Sequence, residues 1–160
     1  MIKYKKGCVV EAFMSGKYIA LLHQANCFNT MNSGVAKKIR EELTRAYDAD
    51  CLTIKGDVTK LGTFSYAAFP DLSGFVINLY GQYNYGKDGK KYTQVVNLER
   101  ALERFADRFR VSAELGQKVC LPRLGCGLGG ADWETELVPM IERQLISRGF
   151  KVHVYDKEGQ

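Results

Sequence analysis

Pro122-Arg-Leu-Gly-Cys-Gly-Leu-Gly-Gly-Ala-Asp-Trp133 sits between a short apolar run, Val119 to Leu121, and a helix-like one. Gly125, Gly127, Gly129 and Gly130 punctuate it. Glycine reaches positive φ and leaves no Cβ between the backbone and a ligand. A helix beginning behind such a loop offers unpaired N–H groups and the positive end of its dipole. Together these features make a cradle for phosphate or diphosphate.

Working outward, a second segment has the same layout. His23-Gln-Ala-Asn-Cys-Phe-Asn-Thr-Met-Asn-Ser-Gly-Val-Ala36 runs from an apolar strand through a polar loop to a glycine and a helix. Val35, Ile39, Leu43 and Ala46–Tyr47 recur at helical spacing, with Gly34 at the entrance and Asn32 or Ser33 as the cap. Before it, Ile2 to Val10 and Tyr18 to Leu22 read as strands. After it, Leu52 to Phe69 reads as short strands and turns, and Phe75 to Tyr80 as a strand buried on both faces. A polar loop, Gln82 to Lys91, leads into an amphipathic helix marked by Tyr92, Val95, Leu98, Leu102, Phe105 and Phe109. A last helix carries Leu137, Ile141 and Leu145 and stops at Gly149, and the strand Lys151 to Asp156 follows. Strands alternating with helices predict an α/β layer structure whose ligands sit beyond the carboxyl ends of the strands.

The bulk properties narrow the function. The 160 residues fit one domain, and the net charge of +5 is spread in short blocks such as Lys87, Lys90 and Lys91. That balance suits an anionic ligand, weak nucleic-acid contact, or a solvated surface. The five cysteines (Cys8, Cys27, Cys51, Cys120, Cys126) are scattered, and only two histidines accompany them. No zinc or redox spacing results, so neither a metal nor a disulfide framework is expected. A reducing, cytoplasmic setting with no membrane span is the corresponding expectation.

Two familiar phosphate motifs fail. No Gly-Lys-Ser/Thr closes the loop as a P-loop requires. A dinucleotide fingerprint would open a long doubly wound domain, whereas this loop lies near the chain's end. The paired loops instead resemble the macrodomain family, whose members bind ADP-ribose. Asn26 with Gly34-Val35-Ala36 looks like the loop that holds the distal ribose, and Pro122 to Gly130 with Asp132-Trp133 like the diphosphate loop. The resemblance covers residues 1–160 as a single macrodomain. It implies a three-layer α/β/α fold around a central mixed, mostly parallel sheet. Its nearest branch is that of the terminal ADP-ribose protein glycohydrolase, the antitoxin reversing DNA ADP-ribosylation, and the yeast-type ADP-ribose-1″-phosphate phosphatase.

The chain also departs from that pattern. Where the family carries Gly-Asp-Ile/Leu for the adenine amino group, this chain has Gly7-Cys8-Val9, and a thiol is a poor acceptor. The glycohydrolase lysine has no counterpart, since its place falls near Gln82 and no lysine lies between Gly74 and Tyr85. That enzyme's aspartate falls on Gly129. Gly56-Asp57-Val58-Thr59 repeats the missing letters but follows the first long helix and reads as a turn. Two residues remain for chemistry. His23 is either a general acid/base or a hydrogen-bonded strand residue. Asp132 either orients water at the distal ribose or caps a helix.

The resemblance therefore implies ligand contacts from Cys8, Val9, Asn26, Ser33, Gly34, Val35 and Gln82. It implies them also from Pro122, Leu124, Gly125, Cys126, Gly127, Leu128 and Gly129. Trp133 reads as core, and His153 in an alternating strand needs no function. The expected activity is hydrolysis at the distal ribose, on ADP-ribose 1″-phosphate or an ADP-ribosyl adduct, with no cofactor and a monomeric protein. A non-catalytic ADP-ribose-binding module and action on ADP-ribosylated nucleic acid are the alternatives.

Overall fold

A computed structural model describes residues 1–157. Six strands form one sheet in the order β1-β6-β5-β2-β4-β3. They are β1 (Ile2–Lys6), β2 (Ala20–Ala25), β3 (Phe64–Phe69), β4 (Gly74–Tyr80), β5 (Lys118–Leu121) and β6 (Lys151–Asp156). All neighbours pair in parallel except β3, which runs antiparallel to β4 at one edge. Because successive side chains on a strand face opposite ways, β2, β4 and β5 must bury two sets of residues.

Leu21, Val76 and Cys120 join one apolar cluster with α1 (Val9–Met14), α2 (Gly34–Glu42) and α3 (Thr44–Cys51). Ala20, Leu22, Ile77, Leu79, Val119 and Leu121 join the other, beneath α4 (Val95–Arg108), α5 (Arg110–Glu114) and the helical run 133–146, here α6. The result is the three-layer α/β/α arrangement with a mixed, mostly parallel sheet. Phe105 anchors the second layer, stacked between Phe109 and Phe150 with ring centroids 4.8 and 5.5 Å away.

Several elements differ from the sequence reading. The first strand ends at Lys6, and Val9 begins a helix that buries Val9, Val10 and Phe13. A helix buries residues one turn apart, so that spacing suits α1 better than a strand. β2 starts at Ala20 and runs on to Ala25, because His23 and Gln24 find hydrogen-bond partners inside the fold. The single helix expected from Gly34 to Tyr47 breaks at Leu43 (φ −125°, ψ 55°), giving α2 and α3. Tyr92 and Thr93 stay outside α4 because both backbone N–H groups donate to the Gly129 carbonyl.

In α6 the α-helical turn Val138–Ile141 is flanked by wider π-type turns, Trp133–Leu137 and Glu142–Ile146. Pro139 lies inside it, lacks an N–H and crowds the preceding turn. An underwound, wider turn alongside accommodates it, as seen where Leu137 N–H donates to the Asp132 carbonyl.

Candidate functional site

Beyond the carboxyl ends of β2 and β5 lies a cavity of about 940 Å³. Its size falls within the usual range for small-molecule sites. One wall is the loop from Asn26 to α2, and the opposite wall is the loop from Pro122 to Gly129. The α1 entrance, with Cys8 and Val9, closes a third side.

The first wall turns on Asn26. Its Oδ1 accepts from the Phe28 N–H at 2.8 Å and its Nδ2 donates to Thr30 Oγ1 at 2.7 Å, so the side chain shapes the loop as well as lining the cavity. Gly34 takes φ +55° to swing the chain into α2. Ser33 occupies the cap position, yet its hydroxyl makes no capping bond. The first helical bond runs from Lys37 N–H to the Ser33 carbonyl. The N–H groups of Gly34, Val35 and Ala36 therefore precede the helical ladder, at the positive end of α2. All three residues line the cavity.

The second wall is held from beneath. Thr93 Oγ1 donates to the Gly125 carbonyl at 2.8 Å and accepts from Gln24 Nε2 at 2.9 Å. Ala131 N–H also bonds the Gly125 carbonyl, at 2.8 Å. These bonds fold the loop into a cup whose Gly127, Leu128 and Gly129 N–H groups make no hydrogen bond among the described residues. A Cβ at Gly129 would lie 2.3 Å from Thr93 Oγ1 and 2.6 Å from the Gly125 carbonyl. A side chain there would have to displace the Gly125 backbone or Thr93, which accounts for the glycine at this position. Burial pushes the Cys126 thiol up to about 11, so it stays protonated near neutral pH.

His23 lines the cavity from β2 and is 2% exposed. Its Nε2 lies 2.6 Å from Asn78 Oδ1. The Asn78 amide is oriented by Nδ2, which donates to the Ala46 carbonyl at 2.9 Å and to Ser65 Oγ at 3.0 Å. Oδ1 is then the atom facing His23, so the imidazole proton resides on Nε2 and Nδ1 presents a lone pair. Burial, outweighing the bond to Asn78, lowers His23 from 6.5 to about 4. Near neutral pH His23 is thus neutral, and its Nδ1 is buried with no hydrogen-bond partner among the described residues.

Gln82 lines the cavity but is pinned. Its Oε1 accepts from Gln24 Nε2 at 2.6 Å and its Nε2 donates to the Asn84 carbonyl at 2.8 Å. Asp132 lies outside the cavity wall. Its Oδ1 accepts from the Thr135 N–H and hydroxyl at 2.9 and 2.8 Å, while its own N–H donates to Glu136 at 2.9 Å. That reciprocal cap opens α6 and keeps the Asp132 carboxyl below the usual range, mainly through the Thr135 bonds. A water-orienting role for Asp132 has no geometric basis here, and the capping alternative describes its contacts.

Trp133 is buried and its Nε1 donates to Tyr4 Oη at 3.0 Å. Asp57 accepts from the Thr59 N–H, the local turn expected of Gly56 to Thr59. His153 Nδ1 meets Tyr18 Oη at 2.7 Å, within the fold. Lys90 and Lys91 have acidic partners, Asp88 and Glu136. Among the described residues no group of three or more His, Cys, Asp or Glu is placed to hold a metal ion, and no helix is long and apolar enough to cross a membrane.

Some wall residues carry no signal in the sequence. Arg123 pairs with Asp156 at 2.7 Å and lies 5.3 Å from the Tyr4 and Trp133 rings, closing the β6 end. Gln24 and Asp50 reach the cavity from β2 and α3. Asp50 ends a helix far from both loops in sequence, so only the packing of α3 on β4 brings it there.

Comparison with known proteins agrees with this geometry. The family model described as Macro domain matches residues 22–138. An uncharacterized 17.5 kDa protein from the tk-vs intergenic region of Enterobacteria phage T4 is 34% identical over 137 residues, covering 84% of each chain. Among solved structures, a macrodomain protein from Streptomyces coelicolor superposes with TM-score 0.69 at 28% identity, covering 98% of this chain and 99% of that one. The macrodomain of Mycobacterium tuberculosis DarG does so with TM-score 0.66 at 25% identity, covering 97% of each. Thermosipho africanus DarTG, solved in complex with ADP-ribose, shares the fold at TM-score 0.68 and 16% identity, over 96% of this chain and 41% of that one. Two N–H-lined loops facing each other at the carboxyl ends of a mixed six-stranded sheet, together with the family match, place this chain among the macrodomains.

Proposed function

We propose that the cavity binds ADP-ribose, with its diphosphate between the N–H groups of residues 34–36 and those of residues 127–129. The observation that carries this reading is the two sets of ladder-free N–H groups on opposite walls of one cavity. Oriented amides of this kind hold an anion without spending a charged side chain. The complex of the DarTG relative with ADP-ribose supports the choice of ligand.

We further propose hydrolysis at the distal ribose, with ADP-ribose 1″-phosphate as the leading substrate and an ADP-ribosyl adduct as the second. His23, holding a lone pair on Nδ1 in the cavity wall, would accept a proton from the attacking water as general base. Gln82 cannot form the covalent adduct that a lysine forms. The loop N–H groups would stabilise the charge that develops.

Calorimetric titration tests the binding step. ADP-ribose should bind in the micromolar range, about −8 kcal/mol at 1 µM, and more tightly than AMP, NAD or ribose phosphate. Phosphate release from ADP-ribose 1″-phosphate tests the second step. His23→Ala should slow release by about 10²-fold or more, and Asp132→Ala should leave it near the unmodified rate. Tight ADP-ribose binding with no release would assign the protein as a non-catalytic module. Lys90 and Lys91, already paired, give the nucleic-acid alternative little support.

A further inference from the structure

Lys60 ends the short 3₁₀ turn Val58–Lys60, yet its side chain is buried, with 7% exposure. Its Nζ donates to the Cys27 carbonyl at 3.1 Å and to Asn29 Oδ1 at 2.8 Å, and lies 4.9 Å from the centre of the Tyr80 ring. Both acceptors are neutral. Taking an ammonium out of water costs free energy that neutral oxygens and a ring face return only in part. The placement is explained by what the ammonium grips.

Both acceptors belong to the loop that forms the first wall. Asn26 and residues 30–34 of that loop line the cavity, whereas residues 27–29 stand behind them. The loop is strained: Asn29 and Met31 hold φ +58° and +44°, values that non-glycine residues keep only where surrounding contacts impose them. At Asn29 the contacts are Lys60 on Oδ1 and the Thr53 carbonyl, which accepts from Nδ2 at 3.2 Å. The Cys27 carbonyl receives the Gly56 N–H at 2.7 Å beside Lys60. Arg40 holds the next stretch, donating to the Thr30 carbonyl and Asn32 Oδ1, each at 2.8 Å. Lys60 thus ties the two ends of the 27–29 segment to one buried point.

Resting on the ADP-ribose reading above, we propose that Lys60 is a positioning residue for ligand binding: by gripping Cys27 and Asn29 it fixes the places of Asn26 and of residues 30–34 in the cavity wall. Lys60 itself does not line the cavity and acts through the loop. A loop already held in its binding shape spares the complex the cost of ordering it, and affinity rises accordingly. Without the ammonium, Asn29 Oδ1 loses its shortest hydrogen bond and the loop is freer to leave that shape.

Calorimetric titration with ADP-ribose tests this, on variants whose folding is followed by thermal melting. Lys60→Met keeps the stem and removes the donor. It should weaken ADP-ribose binding by about tenfold or more, the value of hydrogen bonds to a charged group. Asn29→Gly keeps the positive φ and removes one of the two acceptors. It should weaken binding by about threefold or more, and add no further loss in the Lys60→Met background. A lysine that only stabilised the fold would lower Tm and leave the affinity of the folded protein unchanged, and that result overturns the inference. Additive losses in the double variant overturn it too, because the two residues would then act separately. Should Lys60→Met fail to fold, Asn29→Gly alone decides: weaker binding supports the inference and unchanged affinity overturns it. Wild-type protein that binds no ADP-ribose overturns the ADP-ribose reading as well, whereas tight wild-type binding with unaltered variants overturns this inference alone.

Discussion

Gly129 and His23 show how tightly single residues are specified. At Gly129 any Cβ meets Thr93 Oγ1 and the Gly125 carbonyl well inside van der Waals contact. Gly129→Ala should therefore open the 122–130 loop, cost about 1–3 kcal/mol in urea unfolding and abolish nucleotide binding. His23 carries a pH signature. Folding keeps it neutral down to about pH 4, whereas the unfolded chain protonates it near 6.5. The unfolded state thus binds the extra proton between those values. The stability that His23 contributes is complete above about pH 6.5 and is lost as the pH falls to about 4, a change of about 3 kcal/mol. Urea melts at pH 7 and pH 4.5 should show a smaller pH dependence in His23→Gln, whose amide can still donate to Asn78.

Among the elements, α6 depends on its cap. Asp132 and Glu136 satisfy the first N–H groups of that helix reciprocally, and Lys91 reaches Glu136 from the 82–91 loop at 2.7 Å. Asp132→Ala should lower Tm by roughly 2–4 °C without altering ADP-ribose affinity, measured by thermal melting and titration. Strands β4, β5 and β6 and helix α4 were legible because each has a strong periodic pattern bounded by turns. Helix α1 was not: Lys5, Lys6 and the two valines at 9 and 10 read as a continuing strand, and only the burial of Phe13 against Phe69 reveals the helix. The break between α2 and α3 was hidden as well, since Leu43 is apolar and buried in either arrangement.

At the scale of the molecule, the sheet order brings two loops far apart in the chain to adjacent strand ends, on β2 and β5. Their glycine and asparagine signals made both walls readable from the sequence. The floor was not readable. Asp50, Gln24 and Arg123 are ordinary polar residues locally, and only tertiary packing turns them toward the cavity. Asp132 had a catalytic alternative in the sequence because it follows the loop, yet the helix it opens takes up its carboxylate. The central claim is that main-chain N–H groups on both loops clasp the diphosphate. Amide NMR shifts during ADP-ribose titration test it most directly. The account predicts that Val35, Ala36, Gly127, Leu128 and Gly129 move most, and that adenosine alone moves them far less. Shifts that leave these five amides in place, or equal shifts with adenosine, would contradict it.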